Sequence, residues 1–215
     1  MSGESPGAAP AVARPLRADA ARNRTRILDA ARTAFAESGL DVGVEEIARR
    51  AGVGKGTLYR RFPTKDALVQ AIFEDRLDEL EAMAGSAEGG PDAWDAFARF
   101  LADAARMQAS DQGFLDVVAQ RSGSAVDPRH RERFLEILAR PLARAQTEAC
   151  VRDDLVPEDV VLLLRMIGST THPLPGGASM DDHWPRYLAL VLDGLRPEAA
   201  STLPAAPWRA DVVRR

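Results

Sequence analysis

A single glycine, Gly52, places the strongest constraint on how this chain can fold. In residues 45–62 (EEIARRAGVGKGTLYRRF) it interrupts one short helix and lets the chain turn into a second. Ile47, Ala48 and Ala51 recur before it at the spacing of one helical face. Glycine suits a left-handed C-cap there, because it lacks the Cβ that penalises positive φ. Val53 then plugs the space between the two helices. The second helix is predicted over about residues 55–61, and Phe62 ends it because the residue before a proline disfavours helical ψ. Leu58 and Phe62 share one face, Thr57 and Arg61 share another, and Lys55, Tyr59 and Arg60 project from other sides. Three of these seven residues are basic, which a helix used only for packing would not need. Two short helices hinged at a glycine, the second one basic, have the anatomy of a helix-turn-helix that lays one helix in the DNA major groove.

The flanking residues supply a small core for such a unit. Ile27, Leu28, Ala31, Ala34 and Phe35 form an apolar stripe over about residues 22–38, closed by Gly39. Val42 or Gly43 would cap the next helix, a weak choice beside Ser or Thr, while Glu46 stands where a capping glutamate would. A helix opening at Thr64, with Leu68, Ile72, Leu77 and Leu80, would fasten the unit to a second domain. Three short helices alone make a marginal core, so a larger partner domain is expected.

These residues resemble the N-terminal domain of the TetR-type transcriptional regulators. The resemblance runs through Ile27, Leu28, Asp29, Ala30 and Ala31 with Phe35 and Gly39, then Ile47, Ala48, Arg49, Arg50, Ala51, Gly52 and Val53. It continues through Gly56, Thr57, Leu58, Tyr59, Arg60, Arg61, Phe62, Pro63, Thr64, Lys65, Asp66, Ala67 and Leu68. It covers about residues 22–72, a third of the chain, in matching order and spacing. Two positions depart from it. Gly43 and Val44 stand where Ser or Thr often begins the second helix and contacts phosphate, and Gly54 stands where Ser is frequent. Any phosphate contact at the first of these would come from backbone N–H groups alone.

Charge separates the chain into two ends. Residues 14–65 hold twelve Lys and Arg against six Asp and Glu, a balance of +6, whereas residues 66–215 carry −9 and the whole chain −4. A basic end on an acidic body suits a protein that presents one surface to DNA and keeps the rest away. Residues 1–13 are rich in Gly, Ala, Pro and Ser and lack the pattern of a signal peptide. No stretch of eighteen apolar residues would span a membrane. The single cysteine, Cys150, permits no internal disulfide and fits a reducing cytosol, so a cytoplasmic, nucleoid-associated protein is expected.

The remainder reads as an all-α body with no strands. A helix from Pro91 or Asp92 carries Trp94, Phe97, Ala98, Leu101, Ala104 and Ala105 on one stripe. A separate short apolar run follows at residues 112–120. Asp127 and Pro128 open a helix in which Pro141 should cause a kink or break. The helix after Pro157 is apolar nearly all round, and residues 184–195 form the last one. These two carry more apolar surface than one subunit needs, which points to a homodimer with a four-helix interface. Leu162, Leu163, Arg165, Leu188, Val191 and Leu195 are its candidate residues. The expected organisation is a disordered leader (1–19), a helix-turn-helix domain (20–66), a helical effector-binding and dimerisation domain (67–196) and a flexible tail (197–215).

Candidate DNA-binding residues follow from position on the second helix. Lys55, Gly56 and Thr57, near its start, would read bases, with Gly56 admitting close approach and Thr57 meeting a thymine methyl or a hydrogen-bonding edge. Tyr59, Arg61 and Lys65 would hold phosphates. Arg60 could do either, and Arg49 is a phosphate clamp or a solvated charge. Arg14, Arg17, Arg22, Arg24 and Arg26 could lie on the backbone or enter a minor groove, or, for the first two, belong to a solvated tail.

The family resemblance implies an effector cavity in the larger domain. Trp94, Phe97, Leu101, Met107, Phe114, Val118, Phe134, Leu138, Met166, Thr170 and Tyr187 could line it or simply form core. No two of His130, His172 and His183 stand four apart, so no metal is expected. No nucleophile elbow or phosphate loop suggests an enzyme, and no cofactor is implied. The expected function is a ligand-responsive repressor that binds a palindromic operator in double-stranded DNA and is released by a small, largely apolar effector. The competing reading is a helical interaction protein whose basic hairpin binds acidic partners without reading DNA sequence.

Overall fold

The computed structural model describes residues 13–120, 127–169 and 184–207, with the side chains of 13–18, 109, 111–120, 169 and 199 outside the description. Among the described residues it holds eight α-helices and no strand: α1 (Ala13–Ser38), α2 (Val44–Ala51), α3 (Lys55–Arg61), α4 (Lys65–Glu88), α5 (Ala93–Gln120), α6 (Pro128–Thr147), α7 (Pro157–Ser169) and α8 (Trp184–Leu195). A 3₁₀ turn at Pro197–Ala199 follows. The fold is all-α, with an N-terminal helix-turn-helix and a larger C-terminal helical bundle.

Apolar spacing sorts the buried residues into two cores. Ile27, Leu28, Ala31 and Phe35 of α1 meet Ile47, Ala48 and Ala51 of α2 and Leu58 of α3 in the first. The second gathers Phe97, Phe100 and Leu101 of α5, Ile137, Leu138 and Leu142 of α6, Val160 and Leu164 of α7, and Leu188 and Leu195 of α8. Helix α4 belongs to both. Leu68, Val69, Ala71 and Ile72 pack in the first core, and Leu77, Leu80, Ala84 and Ala87 in the second. The packing boundary therefore falls between residues 72 and 77, inside one continuous helix, rather than at its start.

The long strut is well anchored. Thr64 caps it, its Oγ1 accepting from the Ala67 N–H at 3.0 Å. Along its second half α6 presents a row of arginines. Arg133 donates to Asp78 at 2.7 Å and Glu81 at 2.5 Å, and Arg140 pairs with Glu81 and Glu88. Arg144 donates to the carbonyls of Ala87, Glu88 and Gly90 at 2.6–3.0 Å, closing the end of α4 with a positive charge where the helix dipole is negative.

Three local expectations change. Helix α6 runs unbroken through the buried Pro141. Its neighbours Ile137, Leu138, Leu142 and Ala145 are all buried in the core, and that packing outweighs the one backbone hydrogen bond the proline removes. The run at 112–120 is the far end of α5, not a separate helix. Helix α1 begins at Ala13, so the latter part of the expected leader is helical, while residues 1–12 lie outside the described residues. Of the expected tail, residues 197–207 are described, and the Ser201 carbonyl accepts from Arg152 at 2.6 Å.

Candidate nucleic-acid interface

The turn between α2 and α3 is built as its residue types require. Gly52 sits at φ 62° and ψ 37°, the left-handed region. The Gly52 N–H donates to Arg49 O at 3.1 Å and the Val53 N–H to Ala48 O at 3.0 Å. This pair of bonds is the Schellman arrangement, which satisfies two of the carbonyls orphaned at the helix end. Both helices of the motif begin at glycine, Gly43 and Gly54, each extended and neither offering a side-chain cap.

On α3, Leu58 and Phe62 are buried and hold the helix to the first core. Lys55, Gly56, Tyr59, Arg60 and Arg61 are exposed, and Thr57 is half-buried. A Cβ added to Gly56 would meet nothing within 4 Å, so the absent side chain leaves open surface rather than filling a crowded spot. An open groove of about 380 Å³ lies between α1 and α3, lined by Asn23, Arg24 and Ile27 on one side and Thr57, Arg60 and Arg61 on the other. Asn23 thus joins the candidate surface. Its sequence signal was faint: it stands one helical turn before Ile27, a core residue, and so shares that face.

The basic groups differ in what they already hold. Arg60 and Arg61 make no ion pair or hydrogen bond among the described residues. Lys55 pairs with Glu45, and its ammonium also lies 5.7 Å from the Tyr59 ring centre. That pair raises the Lys55 pKa and lowers the Glu45 pKa, each through the hydrogen bond between them first. Arg49 makes a two-pronged contact with Glu46 at 2.8 and 2.7 Å, and Arg50 reaches both Glu46 and Glu37. Hydrogen bonds from these two guanidinium groups bring the Glu46 carboxyl down to about 2. Lys65 donates to the Leu40 carbonyl at 3.1 Å and so ties the start of α4 to the loop after α1.

The arginines of α1 are partly spent inside the molecule. Arg22 pairs with Asp19, Arg24 with Asp75 of α4, and Arg26 with the carbonyls of Ala51 and Gly52. The side chains of Arg14 and Arg17 lie outside the described residues.

The residues proposed for the larger domain separate by depth. Phe97, Leu101 and Leu138 are buried in the second core, with Trp94, Met107 and Phe134 packed against it. Met166 and Tyr187 are exposed, at 63% and 36%. Thr170 and the side chains of Phe114 and Val118 lie outside the described residues. Of the residues proposed for subunit contact, Leu188 and Leu195 are buried in the subunit's own core, Leu163 and Val191 are half-buried, and Leu162 and Arg165 are exposed. His130 lies against Phe73 of α4, and His172 and His183 lie outside the described residues. No described helix is long and apolar enough to cross a membrane.

A glycine-hinged helix pair with a basic second helix, carried on a larger helical bundle, defines a helix-turn-helix transcriptional regulator. Residues 27–72 match the family described as bacterial regulatory proteins, tetR family, and residues 92–197 match the C-terminal domain of transcriptional regulators described as SbtR-like. The HTH-type transcriptional repressor Rv1474c of Mycobacterium tuberculosis is 31% identical over 193 residues, with 84% of each chain covered. The crystal structure of a TetR transcription regulatory protein from Mycobacterium vanbaalenii is 37% identical, covering 85% of this chain and 99% of that one with a TM-score of 0.62. The TetR transcriptional regulator SCO0520 from Streptomyces coelicolor is 30% identical, covering 81% and 98% with a TM-score of 0.64. The chain belongs to the TetR family of transcriptional regulators, a DNA-binding and non-catalytic family.

Proposed function

We propose that this regulator is a ligand-responsive repressor that binds a palindromic operator as a homodimer and leaves it when a small, largely apolar effector enters the C-terminal bundle. The observation that carries this reading is α4, whose two halves are buried in two different cores. A ligand that repacks the second core acts on the same rigid rod that seats the helix-turn-helix. Its effect on DNA affinity equals its difference in affinity for the two positions of that rod. A coupling of roughly 1–3 kcal/mol changes occupancy about 5- to 150-fold.

The effector class follows from the bundle's lining. Among the described residues Arg152 is the one buried charged side chain, and it stands outside the second core, which is aliphatic and aromatic. Phe97, Leu101, Met107, Phe134 and Leu138 are the side chains we assign to the ligand. An apolar stripe on the outer face of α7 and α8, with Leu162, Met166, Tyr187 and Leu190 exposed, supports the dimer. Met166 and Tyr187 belong to this face rather than to a cavity, and on α8 the outward Leu190 takes the role of the buried Leu188 and Leu195.

Selection of tight-binding duplexes from random DNA, followed by a ligand screen for release in a gel shift, tests the whole proposal. A palindromic selected sequence and release by an apolar compound are expected. A single non-repeated half-site would sink the dimeric mode of reading, and a Leu190→Asp protein that stays dimeric by light scattering would sink the assigned face.

A further inference from the structure

Arg26 stands on α1, outside the helix-turn-helix, and its side chain crosses to the turn. Its Nη2 donates to the Ala51 carbonyl at 2.6 Å and to the Gly52 carbonyl at 2.9 Å. Its Nη1 lies 3.4 Å from Asn23 Oδ1 on its own helix. The backbone hydrogen bonding shows why this matters. The Schellman bonds satisfy the carbonyls of Ala48 and Arg49, so Ala51 and Gly52 enter the turn with oxygens still to be satisfied. Arg26 fills both with one charged nitrogen, at the end of a helix where the dipole favours a cation.

Gly52 is shaped to receive it. A Cβ built at this position would fall 2.5 Å from the same Nη2. The glycine therefore serves two ends: it permits φ 62°, and it leaves room for the guanidinium on the outside of the turn. Gly54 caps α3 without a side-chain bond, so at the turn itself the Arg26 guanidinium adds a side-chain tie to α1 beside the core packing of Leu58 and Phe62.

We propose that Arg26 is a positioning residue of the DNA reader: it locks the α2–α3 turn to α1 and so sets the direction in which α3 meets the groove, without touching DNA. The inference rests on α3 being the recognition helix. It also separates Arg26 from the arginine arm to which its position in the chain would assign it.

The two roles differ in salt dependence. Removing a side chain that neutralises one phosphate lowers the slope of log K against log salt by about 0.9 on duplex DNA, whereas a misdirected helix weakens binding with the slope intact. Full-length protein, Arg26→Ala and Arg26→Gln are titrated over a salt series against a random duplex and against a duplex selected for tight binding. Arg26→Ala is expected to bind the selected duplex about 10-fold more weakly, with the wild-type slope on the random duplex. Arg26→Gln, whose amide ends two bonds short of the guanidinium nitrogen and so cannot span to the turn, is expected to bind the selected duplex about 3- to 10-fold more weakly, again with the wild-type slope. A slope lower by about 0.9 in either variant makes Arg26 a phosphate contact and overturns the proposal. Wild-type affinity of Arg26→Ala for the selected duplex overturns it too. If Arg26→Ala loses its helical circular dichroism at the assay temperature, Arg26→Gln carries the test: weaker binding to the selected duplex with an intact slope supports the clamp, and wild-type affinity or a reduced slope refutes it. Tyr59→Ala, run in parallel, keeps the two readings apart. If it also leaves every affinity unchanged, the assignment of α3 has failed, and not the clamp alone.

Discussion

The two cores of this molecule are built on different terms. The first is small, made of α1, α2, α3 and the opening of α4, and its geometry depends on a few special positions: Gly39 and Gly52 at positive φ, and Phe62 ahead of Pro63. The second is larger and rests on aliphatic and aromatic packing, with an arginine row binding α6 to α4. A region defined by special backbone positions announces itself in the chain. A region defined by packing can be assembled from many sequences, because cores accept substitution when volume and pattern are kept. The first construction suits a reader of DNA, which must hold a few side chains in fixed directions.

The largest effect that could break this comparison is expected from Phe35→Ala. Phe35 is wholly buried in the first core, and such a truncation costs about 3–5 kcal/mol. DNA binding should vanish while the C-terminal bundle stays folded and dimeric, read by calorimetry and light scattering. One cooperative transition that disappears as a whole would show that α4 fuses the two cores into one unit.

Next comes Arg144→Ala, which takes the guanidinium away from three carbonyls at and just beyond the end of α4, of which only that of Ala87 keeps a backbone N–H donor, from Gly90. Its expected cost is about 1–3 kcal/mol, measured as a lower denaturation midpoint, with DNA affinity unchanged at a temperature where the variant is still folded. Of similar size is Thr57→Ala, expected to forfeit about 1–3 kcal/mol of discrimination at one base pair in a repeated selection while leaving random-duplex affinity in place. An unchanged selected motif would remove Thr57 from the readers.

Gly56→Ala separates folding from reading. The open space at this position and the better helix propensity of alanine predict a gain of up to about 1 kcal/mol in stability. If close backbone approach is the reason for glycine, operator affinity falls in the same protein; a variant both more stable and equally tight would end that role.

The smallest effect concerns pH. The Glu46 carboxyl is held down to about 2 from an ordinary 4.5 by its hydrogen bonds to Arg49 and Arg50. A depressed carboxyl contributes stability that is full above about pH 4.5 and is lost as pH falls through about 2. Carboxyl titration by NMR should find Glu46 ionised at about pH 3, and a midpoint near 4.5 would dissolve the pairing.

Much of the first region was legible because its determinants are local. The left-handed Gly52, the Thr64 cap, the end of α3 at Phe62 and the division of α3 into a buried Leu58 face and an exposed basic face all depend on residues within one or two turns. The outer face of the bundle was harder to read. Apolar residues of α7 and α8 lie on both sides of their helices, so periodicity could not tell the inward Leu188 and Leu195 from the outward Leu190 and Met166. At Pro141 packing on both sides of the ring carries the helix through, so of the expected kink or break the break does not occur.

From sequence alone came the helices, the glycine hinge, the charged end and the family, because helical periodicity and capping act over a few residues and charge simply adds. The tertiary structure decided which partner each charge meets. Arg26 lies twenty-six positions from Gly52 and Arg24 fifty-one from Asp75, and no local spacing foretells such pairs. It also decided where one core ends and the other begins, since that boundary lies within the unbroken helix α4, at the point where its neighbours change.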